Sequence, residues 1–222
     1  MQKLTRQPAI TTTSGNNYYV KRDWRGTEYP NIDWKNWNQY PATATYVDYR
    51  ARFGETWKNG TSRNIVLYGH NWNNLKDPLK IGSTQGYTMF AQLPSYTDKK
   101  FAAENPYIYF STGENEGVWK VFAVAYCELN PSFAYNAPNP NKEAFGTLIK
   151  EWQARSMFNF GIEVDDTDRL LTLSTCTRQY ANVGEYQRFV VVARLLRDGE
   201  SEKDAVTVTV NEKMKQPQFK TK

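Results

Sequence analysis

The sequence predicts a mainly β domain, on three observations. Aromatic residues are plentiful, with 7 Trp, 15 Tyr and 11 Phe, and such side chains favour pleated, half-buried surfaces. Stretches with helical periodicity are few. Short β-branched and aromatic runs recur along the chain and are punctuated by Gly, Pro, Asn and Asp, the pattern of strands and turns. At 222 residues the chain is long enough for one well-buried domain and short for two.

Taken in order, residues 1–17 are polar, small and unpatterned and are expected to form a flexible lead. Tyr18 to Tyr40 is crowded with aromatics, including Trp24, Trp34 and Trp37, which read as core and loop packing rather than as a carbohydrate platform. Tyr46-Val47-Asp48-Tyr49-Arg50 alternates like a strand, and Asn59-Gly60 is a turn leading into the strand Asn64 to His70. Asp77-Pro78 and Gly82-Ser83 mark loops, and Met89 to Leu93 reads as a helical turn. Pro106 to Phe110 and Val118 to Leu129 form a hairpin joined by the turn Gly113 to Gly117. In the second strand the alternate set Trp119, Val121, Ala123, Ala125 and Cys127 reads as one apolar face.

A loop with three prolines, Asn130 to Pro140, comes next. Phe145, Leu148, Ile149 and Trp152 then fall on one face of a helix from Lys142 to Met157. Asp165, Asp166 and Asp168 lack the glycine and terminal glutamate of a calcium loop and read as a solvated turn. Leu170 to Cys176 and Phe189 to Ala193 are apolar strands joined by a polar loop, and Arg188 opens the second. Residues 211–222 are expected to be a basic, solvated tail.

The net charge of +5 is modest and scattered. Nucleic-acid binding would want a basic stripe, which neither Lys99-Lys100 nor the basic end supplies. No stretch approaches the roughly 20 apolar residues that span a bilayer, and no signal peptide is visible at Met1. Cys127 and Cys176 make no metal-type spacing, and the lone His70 has no second ligand nearby in sequence, so neither a metal nor a cofactor is expected. Cys127 belongs to an apolar face and reads as core filler; Cys176, at a strand end, is the candidate for reactivity. One cysteine, one histidine and one arginine at strand boundaries, Cys176, His70 and Arg188, suggest a nucleophile, its proton-transfer partner and a charge stabiliser. Arg178 lies in the loop after Cys176, where an arginine is held less rigidly than on a strand.

Thr172-Leu173-Ser174-Thr175-Cys176, with Tyr68-Gly69-His70-Asn71 upstream and Arg188 opening the next strand, resembles the sortase family. Sortases are cysteine transpeptidases of Gram-positive bacterial surfaces. The long interval between His70 and Cys176, with a helix inside it, is most similar to class B, as are Asp48-Tyr49-Arg50 and Met89-Phe90 with Leu93. The resemblance implies a closed β-barrel of about eight strands with N-terminal and inter-strand helices, its catalytic domain covering residues 18–210. It implies cleavage of an Asn-Pro-x-Thr type sorting motif after Thr, a thioacyl intermediate on Cys176, and transfer to an amine of the cell-wall peptide. His70 would move protons and Arg188 would stabilise the oxyanion. Ser174, with Thr175 and Thr177, is the expected substrate-binding set, and the 142–157 helix one wall of the groove. Partners are then sorting-motif surface proteins and peptidoglycan, outside the cell, with membrane attachment only through an N-terminal anchor not in this sequence. A hydrolytic cysteine peptidase, a pilin-polymerising enzyme and a non-catalytic binding module remain alternatives.

Overall fold

The structure, a computed structural model, describes residues 9–12, 17–19, 46–48, 50–69, 71, 90–112, 115–129, 133–180 and 187–219. Its centre is built from the most apolar runs: β4 (Asn64–Gly69), β6 (Val118–Glu128), β8 (Leu170–Thr177) and β9 (Gln187–Leu195). Sequences such as Phe189-Val190-Val191-Val192-Ala193 have no polar face, so they are stable only when covered on both sides. Around them lie β1 (Ala9–Thr12), β2 (Asn17–Tyr19), β3 (Tyr46–Val47) and β5 (Tyr107–Ser111). The eight strands form one sheet in the order β2-β1-β5-β6-β9-β8-β4-β3. The fold is therefore mainly β, and the sheet runs continuously from β2 to β3; no pairing among the described residues joins those two ends. Within it β4 and β8 run parallel, and every other described pair is antiparallel. A second, two-stranded sheet pairs β7 (Phe158–Asn159) with β10 (Thr209–Val210).

Strand period sorts the side chains into two cores. Leu171, Leu173, Phe189, Val191 and Ala193 point into the larger one, which is closed by Leu93 and Tyr96 of a 3-10 turn (Leu93–Thr97) and by Phe101 and Ala102 of α1 (Lys99–Glu104). Leu170, Val190, Val192 and Val66 point the other way, under α2 (Lys142–Arg155). That helix begins where Asn141 accepts a hydrogen bond from Ala144 N (2.8 Å), and it buries Phe145, Leu148, Ile149 and Trp152, the face its periodicity predicts. It stops two residues before the expected Met157, because Ser156 turns to extended geometry and Met157 N donates to Val124 O, tying the chain to β6.

Several expectations are corrected. The set Trp119, Val121, Ala123, Ala125 and Cys127 is not one face: the register of β6 on β9 shifts between Val121 and Ala123. An extra residue in a strand inverts the parity beyond it, so Trp119 and Val121 enter the larger core while Ala123, Ala125 and Cys127 lie under α2. Within the lead 1–17, residues 9–12 form β1, paired with β5; its β-branched Ile10-Thr11-Thr12 suits a strand beside an open edge. Asp168 of the acidic turn is buried rather than solvated, and accepts from Asp165 N (2.8 Å) and from Arg197 Nε (3.0 Å) and Nη2 (2.8 Å). Within the tail, Asn211 and Lys215 hydrogen-bond to the end of α2, as detailed below, while Glu212, Lys213, Lys215, Gln216 and Gln218 remain exposed. The Asn59-Gly60 turn holds, with Gly60 at φ +76°, a conformation that glycine adopts without strain.

The strand foreseen over 46–50 is short, covering Tyr46–Val47. The helical turn foreseen at Met89 to Leu93 lies slightly later, at Leu93–Thr97. Trp24, Trp34, Trp37, Tyr49, Met89, Gly113 and the region of the expected N-terminal helices lie outside the described residues. Among the described residues no helix is long and apolar enough to cross a membrane.

Candidate active site

Three neighbouring strands place the chemistry. In the antiparallel ladders Arg188 is paired with Cys176 of β8 on one side and with Cys127 of β6 on the other. Directly opposed residues share a face, with Cα atoms about 4.5–5.5 Å apart. Cys127, Arg188 and Cys176 therefore form a row on the α2 side of the sheet. Both thiols are free, and they differ in burial: Cys127 is fully buried, Cys176 partly open. Burial pushes the Cys127 thiol up, as does the neighbouring Glu128 carboxylate, against the smaller opposing charges of Arg155 and Arg188. Cys127 is thus a neutral packing residue. Cys176, at the open end of the row, is the more accessible of the two thiols and stands opposite Arg188 in the ladder.

His70 lies outside the described residues. The residues on either side of it in sequence are both bound to β8. Gly69 O accepts from Thr175 Oγ1 (2.7 Å), and Asn71, itself buried, donates through Nδ2 to Cys176 O (3.2 Å). A side chain at Gly69 would force Phe90 to shift, since a Cβ there would stand 2.6 Å from the Phe90 ring. One residue before Gly69, Tyr68 pairs in register with Ser174 and donates to Asp48 Oδ2 (3.0 Å). Asp48 also binds Arg50 Nε (2.9 Å) and Nη2 (2.8 Å). Burial raises the Asp48 carboxyl, but the donors from Arg50 and Tyr68 outweigh it and hold it below the ordinary range.

Ser174 shares the face of Cys176, and its Oγ lies 3.0 Å from the buried Tyr135 hydroxyl. Tyr135 belongs to the proline-rich loop, which is fixed from beneath: Asn64 Nδ2 donates to Tyr135 O (2.8 Å) and Ala137 O (3.1 Å), and Arg50 Nη2 to Asn136 O (2.8 Å). Thr175 and Thr177 alternate with these residues and are buried on the opposite face. Thr175 there ties β8 to β4, so its contribution is to hold the strand and not to line the Cys176 face. Arg178 is exposed after the strand end. Beneath the row, Glu128 and Arg155 form a buried bidentate pair (2.9 Å and 2.9 Å), with side chains 1% and 4% exposed. Tyr135 and the Glu128–Arg155 pair carry no motif in the sequence, and the Tyr68-Gly69-His70-Asn71 run does not reveal the bond from Asn71 to Cys176. Only their proximity in space marks them. Among the described residues no group of three His, Cys, Asp or Glu side chains is placed to hold a metal ion.

The class these observations define is a mainly β fold in which the end of a strand presents a free, partly open cysteine opposite an arginine. A family model described as Sortase domain matches residues 33–196. The chain belongs to the sortase family. It is 29% identical over 156 residues to Sortase B of Listeria monocytogenes, covering 67% of this chain and 57% of that protein. It is 25% identical over 181 residues to Sortase B of Staphylococcus aureus, covering 82% and 66%. The chain therefore spans less than two thirds of the length of these relatives. Sortase B of Clostridium perfringens has the same fold, with a TM-score of 0.62, 21% identity, and coverage of 86% of this chain and 94% of that one.

Proposed function

We propose that the chain is a class B type cysteine transpeptidase with Cys176 as nucleophile, His70 as acid and base, and Arg188 as oxyanion stabiliser. The Cys176 thiolate attacks the carbonyl carbon of the threonine in a sorting motif of Asn-Pro-x-Thr type. The resulting oxyanion is met by the Arg188 guanidinium, a fixed donor that needs no rearrangement during the reaction. The amide bond breaks, His70 gives its proton to the departing amine, and a thioester remains on Cys176. An amine of a cell-wall peptide then attacks that thioester, His70 takes the amine's proton, and the C–S bond breaks to return the Cys176 thiolate.

The observation that carries this reading is the hydrogen bond from Asn71 to the carbonyl of Cys176, the cross-strand neighbour of Arg188: the residue after His70 is tied to the nucleophile's own residue. Ser174, with the Tyr135 hydroxyl beside it, lines the approach to the thiol on the same strand face. The unit that does the chemistry spans 18–210, with β1 and the C-terminal segment packed onto it. The reaction belongs on the extracellular face of the membrane, where surface proteins bearing a sorting motif meet peptidoglycan.

Mass spectrometry of the protein with an Asn-Pro-Gln-Thr peptide, with and without a glycine-type amine, tests the proposal. Amine-dependent ligated product, absent from Cys176→Ala and His70→Ala, is the expected result. Cleavage that ignores the amine would reassign the protein as a hydrolytic peptidase. Neither adduct nor turnover with a panel of sorting peptides would favour a binding module.

A further inference from the structure

The match to the sortase family ends at residue 196, yet residues beyond it run back over the domain to the neighbourhood of Cys176. Asn211 starts this path: its N donates to Met157 O (3.0 Å) and its Nδ2 to Ser156 O (2.8 Å), just past the end of α2. Lys215 N then donates to Ala154 O (2.8 Å), in the last turn of the helix, and Lys215 Nζ binds both carboxylate oxygens of Glu151 (2.8 Å each). The path ends with the Phe219 ring against the Tyr180 ring, centroids 5.0 Å apart. Tyr180 belongs to the turn that follows β8 and Cys176.

That turn is held from inside by Gln187, the residue before Arg188. Tyr180 N donates to Gln187 Oε1 (2.8 Å), and Gln187 Nε2 donates to Tyr180 O (2.6 Å). A side-chain amide that takes both main-chain hydrogen bonds of one residue copies what a paired strand residue does. Gln187 is already the main-chain partner of Thr177, so its side chain prolongs the β8–β9 ladder past the end of β8. Hydrogen bonds at a loop mouth resist opening when water is kept off them. Here Tyr126 packs edge-on against Tyr180 from the core side (5.7 Å), and Phe219 lies against the same ring.

We propose that Asn211–Phe219 is a strap, with Phe219 as its clasp, that works with Gln187 to hold the turn after Cys176 in register with Arg188. The strap acts through other residues and is a positioning element for the transpeptidase site, so its catalytic consequence rests on the function proposed above. Its anchors on Ala154, Ser156 and Glu151 place the end of α2 and the turn after the nucleophile in one mechanical unit. A small misplacement of reacting groups lowers the rate of the chemical step more than it lowers ground-state binding.

The test compares the full chain with Phe219→Ala, Phe219→Trp and a form ending at Val210. Hydrogen exchange of the peptide covering residues 177–187 is measured alongside ligation kinetics. The expected result for Phe219→Ala is exchange about tenfold faster in that peptide, with kcat down about five- to tenfold and KM within about twofold. Phe219→Trp restores both readouts. Unchanged exchange in Phe219→Ala and in the shortened form would overturn the strap. Faster exchange with unchanged kcat would overturn its catalytic consequence. A full chain that ligates no sorting peptide would sink the transpeptidase reading, while the exchange comparison still decides whether the strap exists.

Discussion

Strand β9 carries two arginines on one face, and they are held in opposite ways. Arg194 is 2% exposed, paired with Leu170 and Lys120 across the ladders, and gripped by both carboxylate oxygens of Glu200 at 2.6 Å. It also donates to Glu163 O (2.8 Å) and Leu195 O (3.1 Å). Arg188 is half-buried, with a thiol residue across each ladder and a bond from Nη1 to Gln187 O (3.0 Å). A guanidinium locked in a carboxylate fork is a structural cross-link. The same group at the mouth of the strand pair, beside a half-open thiol, can meet charge that appears only during a reaction. Residue type and strand face are shared; the neighbours differ.

Three measurements press on that contrast. Arg188→Met should lower the ligation rate by about 10²–10³, the cost of removing one preorganised donor to an oxyanion, with the thermal midpoint close to that of the parent. A variant that keeps its rate would end the distinction. Arg194→Met should act the other way round. It should cost about 3 kcal/mol of stability in urea titration, the low end for breaking a buried pair because Glu200 keeps access to water, with kcat of the folded fraction unaltered.

The smallest effect is in the pH dependence. Hydrogen bonding by Arg194 is the main reason the Glu200 carboxyl is held down to about 2, from an ordinary 4.5. A carboxylate lowered on folding stabilises the protein above its unfolded pKa and loses that contribution as pH falls from about 4.5 toward 2. The urea midpoint of the parent should therefore fall more steeply than that of Glu200→Gln over this window. Parallel curves would mean that the pair adds nothing to the native state.

How much of this could be read from the chain varies by element. Cys176 at a strand end and Arg188 at the next strand's start were legible, because strand period and turn residues are local signals. So was the buried face of α2, from the spacing of Phe145, Leu148, Ile149 and Trp152. The bulge in β6 was not: Val121, Phe122 and Ala123 are all apolar, and nothing in their order shows which residue is extra. β1 was read as lead because four residues that pair with a distant edge are too short a pattern to detect. The bond between Asn71 and Cys176 spans 105 residues of sequence, and the hold of Gln187 on Tyr180 exists only once the turn is closed. Such contacts come from topology, which local pattern does not encode. The strap was hidden differently: its lysines resemble any solvated end, and one phenylalanine is too little to suggest packing.

The parallel pairing of β4 with β8 has a consequence for how the molecule comes into being. Parallel neighbours need a long crossover, and here it carries β5, β6, α1 and α2. Contacts of such wide sequence separation form slowly and close large loops. On a ribosome, β4 and His70 emerge long before β8, and Cys176 arrives with most of the chain already made. The thiol can meet Arg188 only after the last major strand, β9, has been synthesised. A half-made chain cannot bring Cys176 opposite Arg188, so any property that depends on that pair is deferred to the final steps of folding.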